Sequence, residues 1–143
     1  MSDFRAVSPA FLACPQLELD DIAAARAAGV TLIVNNRPDG EEPSAPQGDE
    51  IEAAAKDAGI GYVAIPIGHS GFSEVQIDQL IAALDAAEGT VLGYCRSGTR
   101  STFLWSLAQA KKGMAPERIA AAAAGAGYDI SPIRPMLDML AAR

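Results

Sequence analysis

Thr90-Val91-Leu92-Gly93-Tyr94-Cys95-Arg96-Ser97-Gly98-Thr99-Arg100-Ser101 is the stretch around which the 143-residue chain is organised. Its first residues are apolar and β-prone, while Thr102 to Lys112 contains neither Gly nor Pro, so the stretch reads as strand, tight loop, helix. Such a loop gathers backbone N–H groups at the positive end of a helix dipole and therefore stabilises an anion. Cys95 opens the loop, and Arg96 and Arg100 add two permanent positive charges. Thiols in such surroundings titrate below the free value of roughly 8.5, which predicts Cys95 as a nucleophile at neutral pH. Gly98 suits a turn that needs positive φ. A structural buried cysteine is the competing reading, but it leaves two Arg around a Gly turn unexplained.

Working outward, Phe11-Leu12-Ala13 is a candidate strand, and a helix from about Leu19 to Ala28 is capped by Gly29. Val30 to Val34 is a continuous β-branched and apolar run, the pattern of a strand buried on both faces. Arg37-Pro38-Asp39-Gly40 is turn chemistry, and Glu41 to Gly48 is the longest loop, expected to be mobile. A helix over about 49–58 and a strand over 62–66 follow. Ser73 and Gln76 form a capping box ahead of Ile77, Leu80, Ile81 and Leu84, which recur on one helix face. Pro116 opens an Ala-rich helix to Ala124, and Ser131-Pro132 opens a last helix with Met136, Leu137 and Leu140 inward.

Strands alternating with helices imply a three-layer α/β fold, a mostly parallel sheet with helices on both faces. Ligands in such folds bind beyond the carboxyl ends of the strands. That places Asn35-Asn36-Arg37, Gly68-His69-Ser70 and the Cys95 loop on one rim. The candidate catalytic residues are accordingly Cys95, Arg100 and Ser101. The candidate anion-binding residues are Arg96, Ser97, Gly98, Thr99, Arg37, Asn36 and His69, with Arg37 suited to a second anionic group. His69 reads first as a solvent-facing loop histidine and second as a proton donor. Cys14 reads as a small core residue.

The length fits a single domain over residues 1–143, large enough to need no disulfide or metal. A net charge of −7 argues against nucleic acid and anionic membrane as partners. The two cysteines lack zinc or dithiol spacing, so no metal or cofactor is expected. The N-terminus has no leader pattern and no apolar run approaches a membrane span, so a cytoplasmic, reducing location is expected.

Tyr94 to Ser101 resembles the active-site loop of the rhodanese-type sulfurtransferases. Over about residues 5–113 the chain resembles the beta-lactamase hydrolase-like family, with Asn35-Asn36-Arg37-Pro38-Asp39-Gly40-Glu41-Glu42-Pro43 and the run Cys95 to Trp105 carrying the match. That resemblance implies a fold like the dual-specificity cysteine phosphatases. Some members are joined to a metal-dependent lactamase-like domain concerned with sulfide and persulfide metabolism; with His69 the only histidine, no such domain is expected here. Two chemistries follow from the resemblance. Cysteine phosphatases place one residue more between Cys and Arg than the four found here, usually carry His where Tyr94 stands, and often take a proton from an Asp that Gly68-His69-Ser70-Gly71 does not offer. A sulfane-sulfur donor needs less protonation. These departures favour a sulfurtransferase that forms a persulfide on Cys95 and passes sulfur to a thiol acceptor or cyanide. A phosphatase acting through a phosphocysteine is the alternative, and in either case the substrate is a small anion. A third possibility is a non-catalytic persulfide carrier or sensor using the acidic loop Asp39 to Asp49 as its partner surface.

Overall fold

The computed structural model describes residues 2–68 and 70–143. Among the described residues five strands form one sheet: β1 (Arg5–Ser8), β2 (Phe11–Cys14), β3 (Val30–Asn35), β4 (Gly61–Ala64) and β5 (Thr90–Tyr94), in the spatial order β1-β2-β5-β3-β4. β1 and β2 are antiparallel, whereas β2–β5, β5–β3 and β3–β4 are parallel. The helices are α1 (Asp21–Ala27), α2 (Gly48–Asp57), α3 (Glu74–Ala86), α4 (Thr99–Lys111), α5 (Pro116–Gly125) and α6 (Arg134–Ala141). The expected α/β architecture is therefore present. β1 is the strand that sequence reading missed, four residues joined to β2 by a tight turn.

Alternation along the strands splits the core in two. Ile33, Leu92, Tyr94 and Cys14 pack with Ile22 and Ala25 of α1 and with Ile51 and Ala55 of α2. On the other face Phe11, Val34 and Val91 pack with Ile77 and Leu80 of α3, Leu104 and Leu107 of α4, Ile119 of α5 and Leu137 of α6. Trp105 belongs to this second core, its ring stacked on Phe11 at 6.0 Å between centroids. α4 lies under the sheet centre, so the loop feeding it leaves the middle strand with layers on both sides.

α3 starts as the sequence predicts. The Ser73 hydroxyl accepts from the Gln76 N–H and the Gln76 side chain accepts from the Ser73 N–H. The loop between β3 and α2 differs from the expected mobile segment. The Asp39 carboxylate accepts from Gly48 N–H at 2.8 Å, Gln47 Oε1 accepts from Gly40 N–H at 2.7 Å, and Glu41 reaches Arg100 in the first turn of α4. A chain rich in Pro and Gly looks free in sequence, but here its polar side chains close it onto its own backbone.

The central position of α4 sets the energetic ranking. Leu104→Ala, at a site with no exposed surface, is expected to cost about 2–5 kcal/mol. Ser73→Ala, which removes an exposed cap, is expected to cost about 1 kcal/mol. Urea midpoints of the two variants check this order; equal shifts would show that α4 is not the core of the fold.

Candidate active site

Gly93 and Gly98 let the loop take its shape. A side chain at Gly93 would come within 2.8 Å of the Phe11 ring and 3.2 Å of Ser101 Cβ, so only glycine allows the first turn of α4 to lie against β5. Gly98 has φ +90° and precedes α4 directly. A side chain there would collide with the Tyr128 hydroxyl, which donates to Ser97 O at 3.1 Å. The C-terminal part of the chain thus braces the loop from outside, a support that no local motif announces.

Cys95 is fully buried, and Gly98 N–H donates to its sulfur at 3.1 Å. Tyr94 faces the other way, into the core beneath α1 and α2. Cys14, on the neighbouring strand, is also buried in that core, and burial pushes its thiol up, so it is held as the neutral form. Both cysteines are free thiols.

Arg100 is fixed by three hydrogen bonds. Its Nη1 donates to Glu41 Oε2 at 2.9 Å and to Ile67 O at 2.9 Å, and its Nη2 donates to Glu41 Oε1 at 2.7 Å. A guanidinium has five N–H donors, so Nε–H and one N–H of Nη2 are left, and these two share one edge. Such an edge has the geometry to receive two oxygens of a phosphate or sulfate. Glu41 chiefly, and Cys95 in addition, raise the Arg100 pKa, which puts the cysteine close to the guanidinium.

Glu41 Oε1 also accepts from Arg37 Nε at 2.8 Å, while Arg37 Nη1 donates to Gln16 Oε1 at 3.0 Å. Hydrogen bonds from Arg100 and then Arg37 pull the Glu41 carboxyl down to about 2. Glu42 is also lowered, by the Ser44 N–H and then the Ser44 hydroxyl. Both carboxylates are ionised at neutral pH and hold no proton to donate. Sequence reading offered Asp39, Glu41 or Glu42 as a surface partner of Arg37, and Glu41 is that partner; it missed that Glu41 also anchors Arg100.

Asn36, expected to bind the anion, is turned inward instead. It is 1 % exposed; its Nδ2 donates to Ile65 O at 2.9 Å and its Oδ1 accepts from the Ser101 hydroxyl at 2.8 Å. Ser101 is likewise buried, with its hydroxyl directed at Asn36. Thr99 Oγ1 accepts from the Ser97 hydroxyl at 2.9 Å, which ties the exposed side of the loop. Arg37, Glu41, Glu42, Gly68, Arg96 and Arg100 line a cleft of about 440 Å³. The three rim segments therefore meet through these members. His69, the remaining candidate, lies outside the described residues. Among the described residues no cluster of His, Cys, Asp or Glu has the arrangement of a metal site.

A buried cysteine in a loop between a central parallel strand and a helix, with an arginine fork beside it, defines a cysteine-phosphatase-like α/β protein. The chain belongs to the family described as beta-lactamase hydrolase-like protein, phosphatase-like domain, which it matches over residues 3–112. Beta-lactamase hydrolase-like proteins of Xylella fastidiosa (strain 9a5c) and Agrobacterium fabrum (strain C58) are each 37% identical to it, over 103 and 93 residues, covering 71% and 65% of this chain. The chain spans only about a quarter of their length, 24% and 22%. A candidate phosphatase from Neisseria meningitidis Z2491 superimposes with a TM-score of 0.87 at 29% identity, over 98% of this chain and 99% of its own. PTPMT1 shares the fold at a TM-score of 0.72 and 12% identity, over 98% of this chain and 97% of its own.

These relationships overturn the expected sulfurtransferase. Both the family match and the 29%-identical structure are phosphatase-like, with nothing of the sulfurtransferases among them. The sequence inference took three departures as markers of chemistry: the loop length, Tyr94 in place of His, and a preceding loop without an Asp. In the structure the shorter loop still delivers an amide to the sulfur and leaves an open arginine edge, so its length does not disfavour a phosphoryl group.

The Glu41 pair generates a pH signature. Its folded value of about 2 lies below the unfolded carboxylate value of roughly 4.3, so its contribution to stability is complete above that unfolded value and lost as pH falls towards about 2. Glu41→Gln is expected to flatten the loss of stability between pH of about 5 and 3, measured by urea unfolding. An unchanged slope would mean that Glu41 is not paired in solution.

Proposed function

We propose that the chain is a phosphoric monoester hydrolase that works through a phosphocysteine at Cys95. The observation that carries this reading is the open Nε/Nη2 edge of Arg100 beside a cysteine whose sulfur already accepts the Gly98 amide. The Cys95 thiolate attacks phosphorus, an S–P bond forms, and the P–O bond to the leaving group breaks. Arg100 and the loop amides carry the charge on the equatorial oxygens. Water then attacks the phosphocysteine, phosphate departs, and the thiolate returns; the proton lost by the water balances the one gained by the leaving alcohol or phenol. Ser97, Gly98 and Thr99 shape the loop, and Ser101 positions it through Asn36. A free thiol nucleophile fits a reducing, cytoplasmic setting.

Glu41 and Glu42 are both held ionised, so they do not protonate the leaving oxygen. Rates should therefore fall steeply as the leaving group becomes more basic, with aryl phosphates turned over far faster than alkyl phosphates.

Hydrolysis of 4-nitrophenyl phosphate tests the proposal. Cys95→Ser is expected to lower kcat by roughly 10³-fold or more, and Arg100→Ala by roughly 10²–10³-fold. Rapid quenching of the wild type should trap one phosphoryl group on Cys95, seen by mass spectrometry. Undiminished hydrolysis by Cys95→Ser, or no hydrolysis of any aryl phosphate by the wild type, would refute it.

A further inference from the structure

We infer that the natural substrate is a phosphate monoester bearing a second anionic group, and that Arg96 is the counter-ion for that group. The inference rests on the phosphatase reading and adds a substrate class to it.

The cleft is larger than one phosphoryl group requires. At about 440 Å³ it falls within the range of whole small-molecule sites, and five of its six described lining residues carry charge. The cations in it are not equivalent. Arg100 is held by Glu41 and Ile67 with one edge turned to the reacting group. Arg37 spends Nε on Glu41 and Nη1 on Gln16. Arg96 is exposed, and among the described residues its guanidinium has no hydrogen bond and no carboxylate within 4.0 Å. The peptide from which it projects is nevertheless fixed, since Arg96 O accepts from Gln16 N–H at 3.3 Å.

An unengaged arginine next to the nucleophile, in a chain of net charge −7, has all its donors available for a ligand. A solvated surface arginine is the ordinary alternative, but a surface arginine need not line the same cleft as Arg100. Glu41 is taken up by Arg37 and Arg100 and Glu42 is hydrogen-bonded by Ser44, so neither carboxylate occupies the donors of Arg96, which stay open to a second anionic group. A carboxylate or a second phosphate serves this chemistry equally well.

A set of aryl esters separates these possibilities while keeping the leaving group readily expelled. The probes are 3-carbamoylphenyl phosphate as the neutral reference, 3-carboxyphenyl phosphate, and benzene-1,3-diyl bisphosphate. The wild type is expected to show a kcat/KM about 10-fold or more higher for the charged probes than for the neutral one, mainly through KM, the worth of one charge-assisted contact. Arg96→Gln should bring that ratio close to one and Arg96→Lys should keep part of it. Because the ratio is taken within each variant, loss of folded protein does not affect it. A larger advantage for the bisphosphate assigns phosphate as the second group, and a larger one for the carboxylate assigns a carboxylate. A wild-type ratio near one, or the same ratio in Arg96→Gln, overturns the inference while leaving the phosphatase reading intact. Failure to hydrolyse all three esters overturns both.

Discussion

The rim of the sheet depends on one buried residue, Asn36, which uses every polar atom it has. Its N–H donates to Tyr94 O at 2.8 Å, its carbonyl accepts from Ile67 N–H at 3.0 Å, its Nδ2 donates to Ile65 O, and its Oδ1 accepts from Ser101. The segments that follow β3, β4 and β5 are thereby held at a common level, and the first turn of α4 is attached to them. A buried amide that lost either side-chain partner would leave groups unsatisfied at roughly 1–3 kcal/mol each. The site is rigid for this reason, although most of its lining is loop.

A second constraint is electrostatic. For a strongly acidic chain to hold an anion, its cationic groups have to be kept in place without being neutralised. Glu41 does this for Arg100 by taking the far end of the guanidinium, while Ile67 O takes the remaining donor of Nη1. The pairing consumes three of the five donors and aims the other two. An exposed ion pair of this kind contributes little stability by itself. Its value lies in orientation, since a swinging Arg100 would have to be ordered each time an anion bound.

Much of this was legible in sequence. The continuous apolar runs at β3 and β5 and the capping box at Ser73 translate directly into backbone geometry, because period and cap chemistry act within a few residues. Cys95, Gly98 and Arg100 were legible because a strand, a glycine turn and a helix start are contiguous. The pairing of Glu41 with Arg100 and the inward turn of Asn36 were not, because each is decided by a partner 59 or 65 residues away. Tyr128 under Gly98 was hidden for the same reason, 31 residues from Ser97. The reaction was misjudged where local features, namely the spacing from Cys95 to Arg100, Tyr94 in place of His and a preceding loop without an Asp, stood in for the surrounding fold.

That spacing takes on a different meaning once Arg100 is seen in place. Removing a residue from an anion loop would be expected to withdraw one amide or to pull the arginine out of reach. Here Gly98, in its left-handed conformation, still directs its amide at the sulfur, and Gly93 allows α4 to approach β5 closely enough to bring Arg100 forward. The shorter loop is accommodated by two glycines at positions where a side chain would meet Tyr128 or Phe11. What the site gives up is a carboxyl group free to carry a proton, since Glu41 is committed to two arginines and Glu42 to Ser44. Under the proposed reaction, such an arrangement would select its substrate through charge placed around the phosphoryl group, and its demand on the leaving group would follow from using the nearby carboxylates as anchors.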